Sequence, residues 1–482
     1  AFMIMNLRPY PAMKDSGVFW LGKVPEHWEV RRIGALLRER GETNYDNNVT
    51  DVLSVMRERG VIPYAEKGNV GNKKSDDITR YKIVRPNDIV VNCMNVIIGS
   101  VGLSKYTGCL SPVYYVLTRR SVIDDPHYLN AYFQTKPFQL SLVRIGNGIL
   151  AHRMRIPMEL LKCELFPRPP AAEQAAIVRY LDYMDRRIRK YIRAKQKLIK
   201  LLEEQKQAII YRAVTRGLDP NVRIKPSGVD WLGDVPEHWE EMSLGRCLKS
   251  IEQGWSPVAA EEELMADQWT VLTLSAVKRG LFKPNAIKPV SDVAYSHEDI
   301  EIKDGDLLLT RSNTRELVGD ACIVQGVRPK TILCDLIYRL TPDLIIIDPG
   351  FLMFYLLSPI GRRQIESDAR GSSGTMPKIA QRHIRSWRAI VPPIGEQNEI
   401  VKFIEREIKV IDDVEKATQK EIALLREYRT RLIADVVTGK LDVREAVANF
   451  PEETDEPEPL EEVEEPTANG TEKSVEEVSD EG

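Results

Sequence analysis

Two glycine-rich, basic turns are the stretches of this chain best suited to chemistry. They read Arg144-Ile-Gly-Asn-Gly-Ile-Leu-Ala-His-Arg153 and Arg370-Gly-Ser-Ser-Gly-Thr-Met-Pro-Lys378. Glycine lets main-chain N–H groups approach a phosphate, while arginine, lysine and asparagine reach phosphate oxygens or base edges. The chemistry such turns can do is binding of a nucleic acid. Serine–glycine loops are also ordinary surface turns. What sets these two apart is that each lies just ahead of the same kind of long helical segment.

The constellations needed for catalysis are missing from the sequence. It has no Asn-Pro-Pro-Tyr or Asp-Pro-Pro-Tyr for amino methylation, no GxGxxG and no GxxxxGK[ST]. Pro342-Asp343 is like the start of a nuclease motif, but no Glu-x-Lys follows at short spacing. His27 and His238 invite an acid/base role, yet neither belongs to a nearby carboxylate–nucleophile constellation. The cysteines, Cys93, Cys109, Cys163, Cys247, Cys322 and Cys334, are scattered without CxxC. They support neither a zinc site nor a disulfide framework, so reduced thiols are expected.

The elements that must position the turns are two long helices, Pro169 to Leu218 and Pro392 to Leu441. Each opens Pro-Pro-x-x-Glu-Gln, at Glu173-Gln174 and Glu396-Gln397, and closes on Thr-x-x-Leu, with an offset of 223 residues throughout. Proline at the start, glutamate in the first turn and glycine at the end are helix signals. In the first helix Ile177, Leu181, Met184, Ile188, Tyr191, Leu198, Leu202 and Ile209 recur at steps of three and four, broken at Lys195 and Gln205. The second is looser: Ile400, Ile404, Ile411, Val414, Leu425, Tyr428 and Leu432, broken at Glu407, Thr418 and Glu421. This is a coiled-coil seam, and each helix is the other's expected antiparallel partner. Residues 171–218 carry net charge +7 and residues 393–450 net −2, which favours the mixed pair. Lys195 and Thr418, equivalent and polar, are expected near mid-helix, where they either fix the register or leave a solvated gap.

A second duplicate lies upstream. Asp15 to Glu29 reads DSGVFWLGKVPEHWE and Pro226 to Glu240 reads PSGVDWLGDVPEHWE, identical at twelve of fifteen positions. The whole chain is therefore a tandem duplication, in which fixed frames enclose divergent regions. Trp20 and Trp28 are expected to pack within the turns of the first box. In the first region Val49–Val55, Tyr81–Val84, Asp88–Val91, Val96–Val101 and Val113–Leu117 read as strands, and Pro126–Leu142 and Pro157–Leu161 as helices. In the second, Trp269–Leu274, Asp306–Thr310, Ala321–Val324 and Thr331–Leu340 read as strands and Gly350–Glu366 as a helix. Arg85-Pro-Asn-Asp-Ile-Val-Val-Asn92 matches Lys303-Asp-Gly-Asp-Leu-Leu-Leu-Thr310, with Gly99 and Gly319 following, so the two α+β domains share one fold.

The divisions are a leader at 1–14, a first domain at 15–168, a first long helix at 169–218, a linker and repeated box at 219–240, a second domain at 241–391, a second long helix at 392–450 and an acidic tail at 451–482. The tail holds fourteen acidic residues and one lysine, a composition too poor in apolar residues to fold. Without it the chain carries +10, most of which sits on the first helix, so charge alone says little about nucleic acid. With 43% hydrophobic and 29% charged residues and no run of 18 apolar residues, a water-soluble, cytoplasmic protein without membrane partners is expected.

The paired SGVxWLGxVPxHWE boxes, the PPxxEQxxI helix starts and the alternation of fixed and divergent regions resemble the specificity subunits of type I restriction–modification systems. The resemblance covers roughly residues 15–448. It implies two target-recognition domains, each reading one half of a bipartite, asymmetric double-stranded DNA site, and helices that set the gap between the halves. It implies two methyltransferase subunits as partners, restriction subunits joining through them, and no catalysis by the chain itself. S-adenosylmethionine would belong to the methyltransferase, and no cofactor or metal to this chain. The groups placed on DNA by this resemblance are Asn92, Asn95, Arg144, Asn147, His152 and Arg153 in the first domain. In the second they are Arg311, Ser312, Asn313, Arg315, Arg370, Ser372, Thr375 and Lys378. Arginine suits guanine edges and asparagine adenine edges. Helix pairing falls to Ile177, Leu181, Met184, Ile188, Leu198, Leu202, Ile209, Ile404, Ile411, Leu425 and Leu432. The alternative is a coiled-coil scaffold for other proteins without DNA specificity.

Overall fold

The computed structural model describes residues 7–57, 59–68, 73–148, 154–228, 232–256, 268–290, 299–369 and 376–450. They form two compact units. One holds the residues up to 195 with those from 420 onward, and the other holds residues 196–419. Each unit thus contains one α+β domain and one stretch of each long helix.

The helices run over Ala171–Arg216 and Ile394–Val437. At about 1.5 Å per residue each is roughly 65–70 Å long. In the first unit Asp185 pairs with Arg429, and Lys195 Nζ lies 2.7 Å from a Glu421 carboxylate oxygen. In the second, Lys206 Nζ reaches Asp412 at 2.6 Å and Glu415 at 2.7 Å. Residue numbers rise along one helix as they fall along the other, so the stretches pair antiparallel in both units. Ile177, Met184, Ile188, Ile404, Ile411 and Leu432 are buried, and Leu181, Leu198, Leu202, Ile209 and Leu425 half-buried, along this seam. Val414 departs from the expected pattern by being exposed. Ile422 and Thr418 are buried instead, and the Thr418 hydroxyl is satisfied by donating to Val414 O at 2.7 Å. Lys195 is no solvated gap, because Glu421 pairs it.

Both domains are built on the same four-stranded antiparallel sheet. In the first the order is Leu37–Glu39, Tyr114–Arg119, Ile89–Asn92, Val101–Leu103; in the second it is Leu248–Gln253, Ile337–Pro342, Leu307–Thr310, Ala321–Ile323. The register matches as well, with Tyr115 opposite Val91 and Tyr338 opposite Leu309. A second strand pair ties each box to the start of its helix, Glu29–Arg32 on Leu165–Arg168 and Glu240–Ser243 on Arg388–Val391. Apolar side chains of sheet, box and helices merge in the larger of two clusters in each unit; the smaller ones hold Val55, Val90 and Val116 in the first unit and Val271, Leu308 and Ile332 in the second. Trp28, Val91, Phe166, Ile177 and Val436 lie in the larger cluster of the first unit, and Trp239, Leu309, Phe351, Ile390 and Ile404 in that of the second. Burial of side chains this large, about 1.5–3 kcal/mol each, fixes the helices to the domains.

Several expected elements differ. Val49–Val55 is a strand only over Leu53–Met56. Val96–Val101 is a 3-10 turn over Val96–Ile98, ended by Gly99 at φ +93°, and the strand starts only at Val101. Pro126–Leu142 is two helices, Pro126–Phe133 and Lys136–Ser141, because Pro137 can sit only in a first turn. Gly350–Glu366 likewise splits at Ser358-Pro359 into Pro349–Leu357 and Pro359–Asp368. Thr331–Leu340 divides into strands Thr331–Ile332 and Ile337–Pro342, which join different sheets. The repeated box also begins earlier than its sequence identity, since Met13–Asp15 pairs with Lys23–Pro25 just as Ile224–Pro226 pairs with Asp234–Pro236. No described helix is long and apolar enough to cross a membrane, and all six cysteines are free thiols.

Candidate nucleic-acid interface

The frame that carries the candidate loops is locked by the boxes. Trp28 Nε1 donates to Glu173 Oε2 at 2.8 Å, and His27 Nε2 lies 2.6 Å from Glu173 Oε1. The second copy repeats this, with His238 at 2.8 Å and Trp239 at 3.2 Å from the Glu396 carboxylate. The histidines therefore do face carboxylates, brought from the distant helix start, and they grip the helix. The neighbouring glutamines act alike. Gln174 Oε1 accepts from Asp125 N and Gln397 Oε1 from Asp348 N, each at 2.7 Å. Those aspartates cap the helices that begin at Pro126 and Pro349. The Glu-Gln pair thus fixes the box with one side chain and the domain's helix with the other.

The two latches are unequal. Glu173 also accepts from Tyr10 Oη at 3.2 Å and lies 3.5 Å from Arg444, and its side chain is 9% exposed against 27% for Glu396. Burial, then the Glu173 charge, pushes the Tyr10 phenol well above its ordinary value, so it stays a donor.

The same frame holds the candidate loops at the ends of Ile89–Asn92 and Leu307–Thr310. Ile156 N donates to Cys93 O, and Ile379 N to Arg311 O, at 2.9 Å in both. Tyr115 donates to Ile156 O at 3.0 Å and Tyr338 to Ile379 O at 3.1 Å. The segment that follows each glycine-rich turn is thereby tied to the end of a strand. Asn147 bridges Arg155, and Ser312 bridges Lys378.

The side chains differ in what they present. Asn92 and Asn95 are half-buried, and Asn92 Oδ1 is spent on Met94 N. Asn147 is exposed. Arg144 is bound to Glu164 yet remains 59% exposed, which leaves part of its guanidinium open. Burial pushes the Glu164 carboxyl up, and Arg144 offsets only part of that. In the second unit Arg315 and Lys378 are exposed, while Ser312 and Asn313 are buried. Asn313 Oδ1 accepts from Thr314 N at 2.8 Å. Arg311 lies against the Tyr338 ring. His152, Arg153, Arg370, Ser372 and Thr375 lie outside the described residues. Arg155, Arg382 and His383 stand on the same edges and were missed. Arg155 sits two residues beyond Arg153 in the same basic run, so charge could have found it.

No family model matches the chain. It is 25% identical over 449 residues to the putative type I restriction enzyme MjaX specificity subunit of Methanocaldococcus jannaschii, covering 88% of this chain and 96% of that protein. A match to the type I restriction enzyme EcoEI specificity subunit of Escherichia coli is 24% identical over 223 residues, which is 46% of this chain and 37% of that protein. A chain from a structure of the type I R-M system superposes with a TM-score of 0.65 at 16% identity, over 87% of this chain and 99% of that one. The fold is therefore shared with that chain of a type I R-M system: duplicated α+β domains on paired long helices. The chain resembles type I specificity subunits in sequence along nearly its whole length, as its boxes and helix starts imply.

Proposed function

We propose that this chain is the DNA-reading, non-catalytic specificity subunit of a type I restriction–modification complex. In this reading each domain recognises one half of a bipartite, asymmetric site in double-stranded DNA, and the paired helices set the gap. The helices also hold two methyltransferase subunits, which carry S-adenosylmethionine and to which restriction subunits add. The observation that carries the reading is the contrast between a frame repeated down to individual hydrogen bonds and loops that diverge at its edge. Selection for two different sequences read a fixed distance apart accounts for both halves of that contrast.

The test is DNA binding by the purified chain, with and without the methyltransferase made alongside it, across a salt series. Sequence-specific, salt-dependent affinity that strengthens with the partner is expected, with no methyl transfer by the chain alone. Methyl transfer by the isolated chain, or affinity indifferent to salt and sequence, would contradict the proposal.

A further inference from the structure

The two copies of the frame enclose different chemistry where each glycine-rich turn rejoins its strand. In the second unit a cavity of about 430 Å³ opens there, with Arg311, Tyr338, Asp368, Lys378, Arg382 and His383 in its lining. Arg311 donates one N–H to Asp335 O at 3.2 Å and lies 6.0 Å from the Tyr338 ring centre. Lys378 and Arg382 are exposed and have no carboxylate partner among the described residues. Arg382 Nε lies 3.3 Å from His383 Nε2. Asp368 supplies the one carboxylate of the lining, and it accepts from Trp387 Nε1 at 2.8 Å. Three cations therefore face one aspartate that is already engaged.

The shared hydrogen bonds align the first unit residue by residue. Cys93 stands where Arg311 does, Arg155 where Lys378 does, Glu159 where Arg382 does and Leu160 where His383 does. Glu159 is paired with Lys162. The frame is common to both units, but the excess of positive charge belongs to the second. Gathering cations without counter-charge is unfavourable unless an anion completes the set, and forked guanidinium groups match the oxygens of a phosphate.

We propose that this cavity is a phosphate seat, taking one phosphate group from a DNA backbone or from free phosphate. The first source rests on the DNA-reading function above; the second does not.

Two arms test it with the full-length chain, comparing wild type with Arg382→Ala and Lys378→Ala, both exposed positions whose folding is checked by circular dichroism. In the DNA arm, the logarithm of affinity is followed against the logarithm of salt. Each variant should reduce the slope by about one, with affinity falling equally across sequences. Glu159→Gln in the first unit should leave the slope unchanged. In the phosphate arm, inorganic phosphate is titrated calorimetrically at constant ionic strength. Wild type should bind, and Arg382→Ala should bind about tenfold more weakly.

A response in the DNA arm assigns the seat to the backbone, and a response to phosphate alone assigns it to free phosphate. No response in either arm, or a relaxed preference at one base pair with an unchanged slope, would overturn it. If wild type binds no DNA at all, the DNA-reading function fails while the phosphate arm still decides the seat.

Discussion

Trp28 and Glu173 are joined by a 2.8 Å hydrogen bond across 145 residues of chain, and Trp239 repeats the bond on Glu396. A buried indole N–H has no water to turn to, so the carboxylate is its only satisfaction. Glu173→Ala should cost about 2–3 kcal/mol and Glu396→Ala about 1 kcal/mol, because water reaches the more exposed Glu396. Urea denaturation of both variants checks the order. Equal losses would mean that burial does not set the strength of the latch.

Gly439 ends the second helix at φ +76° with the Trp28 ring beside it, and an added Cβ would meet Trp28 Cζ3 at 2.9 Å. Gly17, at φ +70°, faces open space. Gly17→Ala should therefore cost only the left-handed strain of about 1 kcal/mol, and Gly439→Ala at least twice that. Thermal melts of the two variants measure the difference.

Arg144 serves the fold as well as any DNA. Arg144→Ala leaves the buried Glu164 carboxylate unpaired and should cost about 1–2 kcal/mol at neutral pH, the low end reflecting the exposure of the arginine. Glu164 has a raised folded-state pKa. Its protonated form needs no counter-ion, so the gap between variant and wild type should close as pH falls through that pKa. Arg144→Ala/Glu164→Gln should recover the stability but not the DNA affinity. Denaturation at several pH values together with a binding assay separates the two roles.

If the helix pair measures the site, one heptad inserted in each helix, near Lys195 and Thr418, should lengthen the gap between half-sites and leave both unchanged. Methylation mapping reads both quantities. Altered half-sites with an unaltered gap would take the measuring role away from the helices.

What the sequence made legible follows from how local each signal is. The long helices are written in uninterrupted stretches without proline, and their seam in steps of three and four, so most of the pairing residues could be named. The splits at Pro137 and Ser358-Pro359 were also local, as was the glycine stop at Gly99, but strong apolar runs masked them. The Glu173 and Glu396 latches were not legible. Their partners are brought together only by the fold: His27 and His238 have glutamates beside them in sequence, yet each meets a carboxylate 146 or 158 residues away. The same holds for Arg382 and His383, which carry no signal of their own until the fold places Arg311 and Tyr338 beside them.

The most direct measurement is genome-wide methylation mapping in cells with and without this chain. A motif in two parts, separated by a fixed run of unspecified bases, is expected, and it should disappear when the chain is removed. A motif that survives removal, or one that is a single uninterrupted sequence, would contradict this expectation.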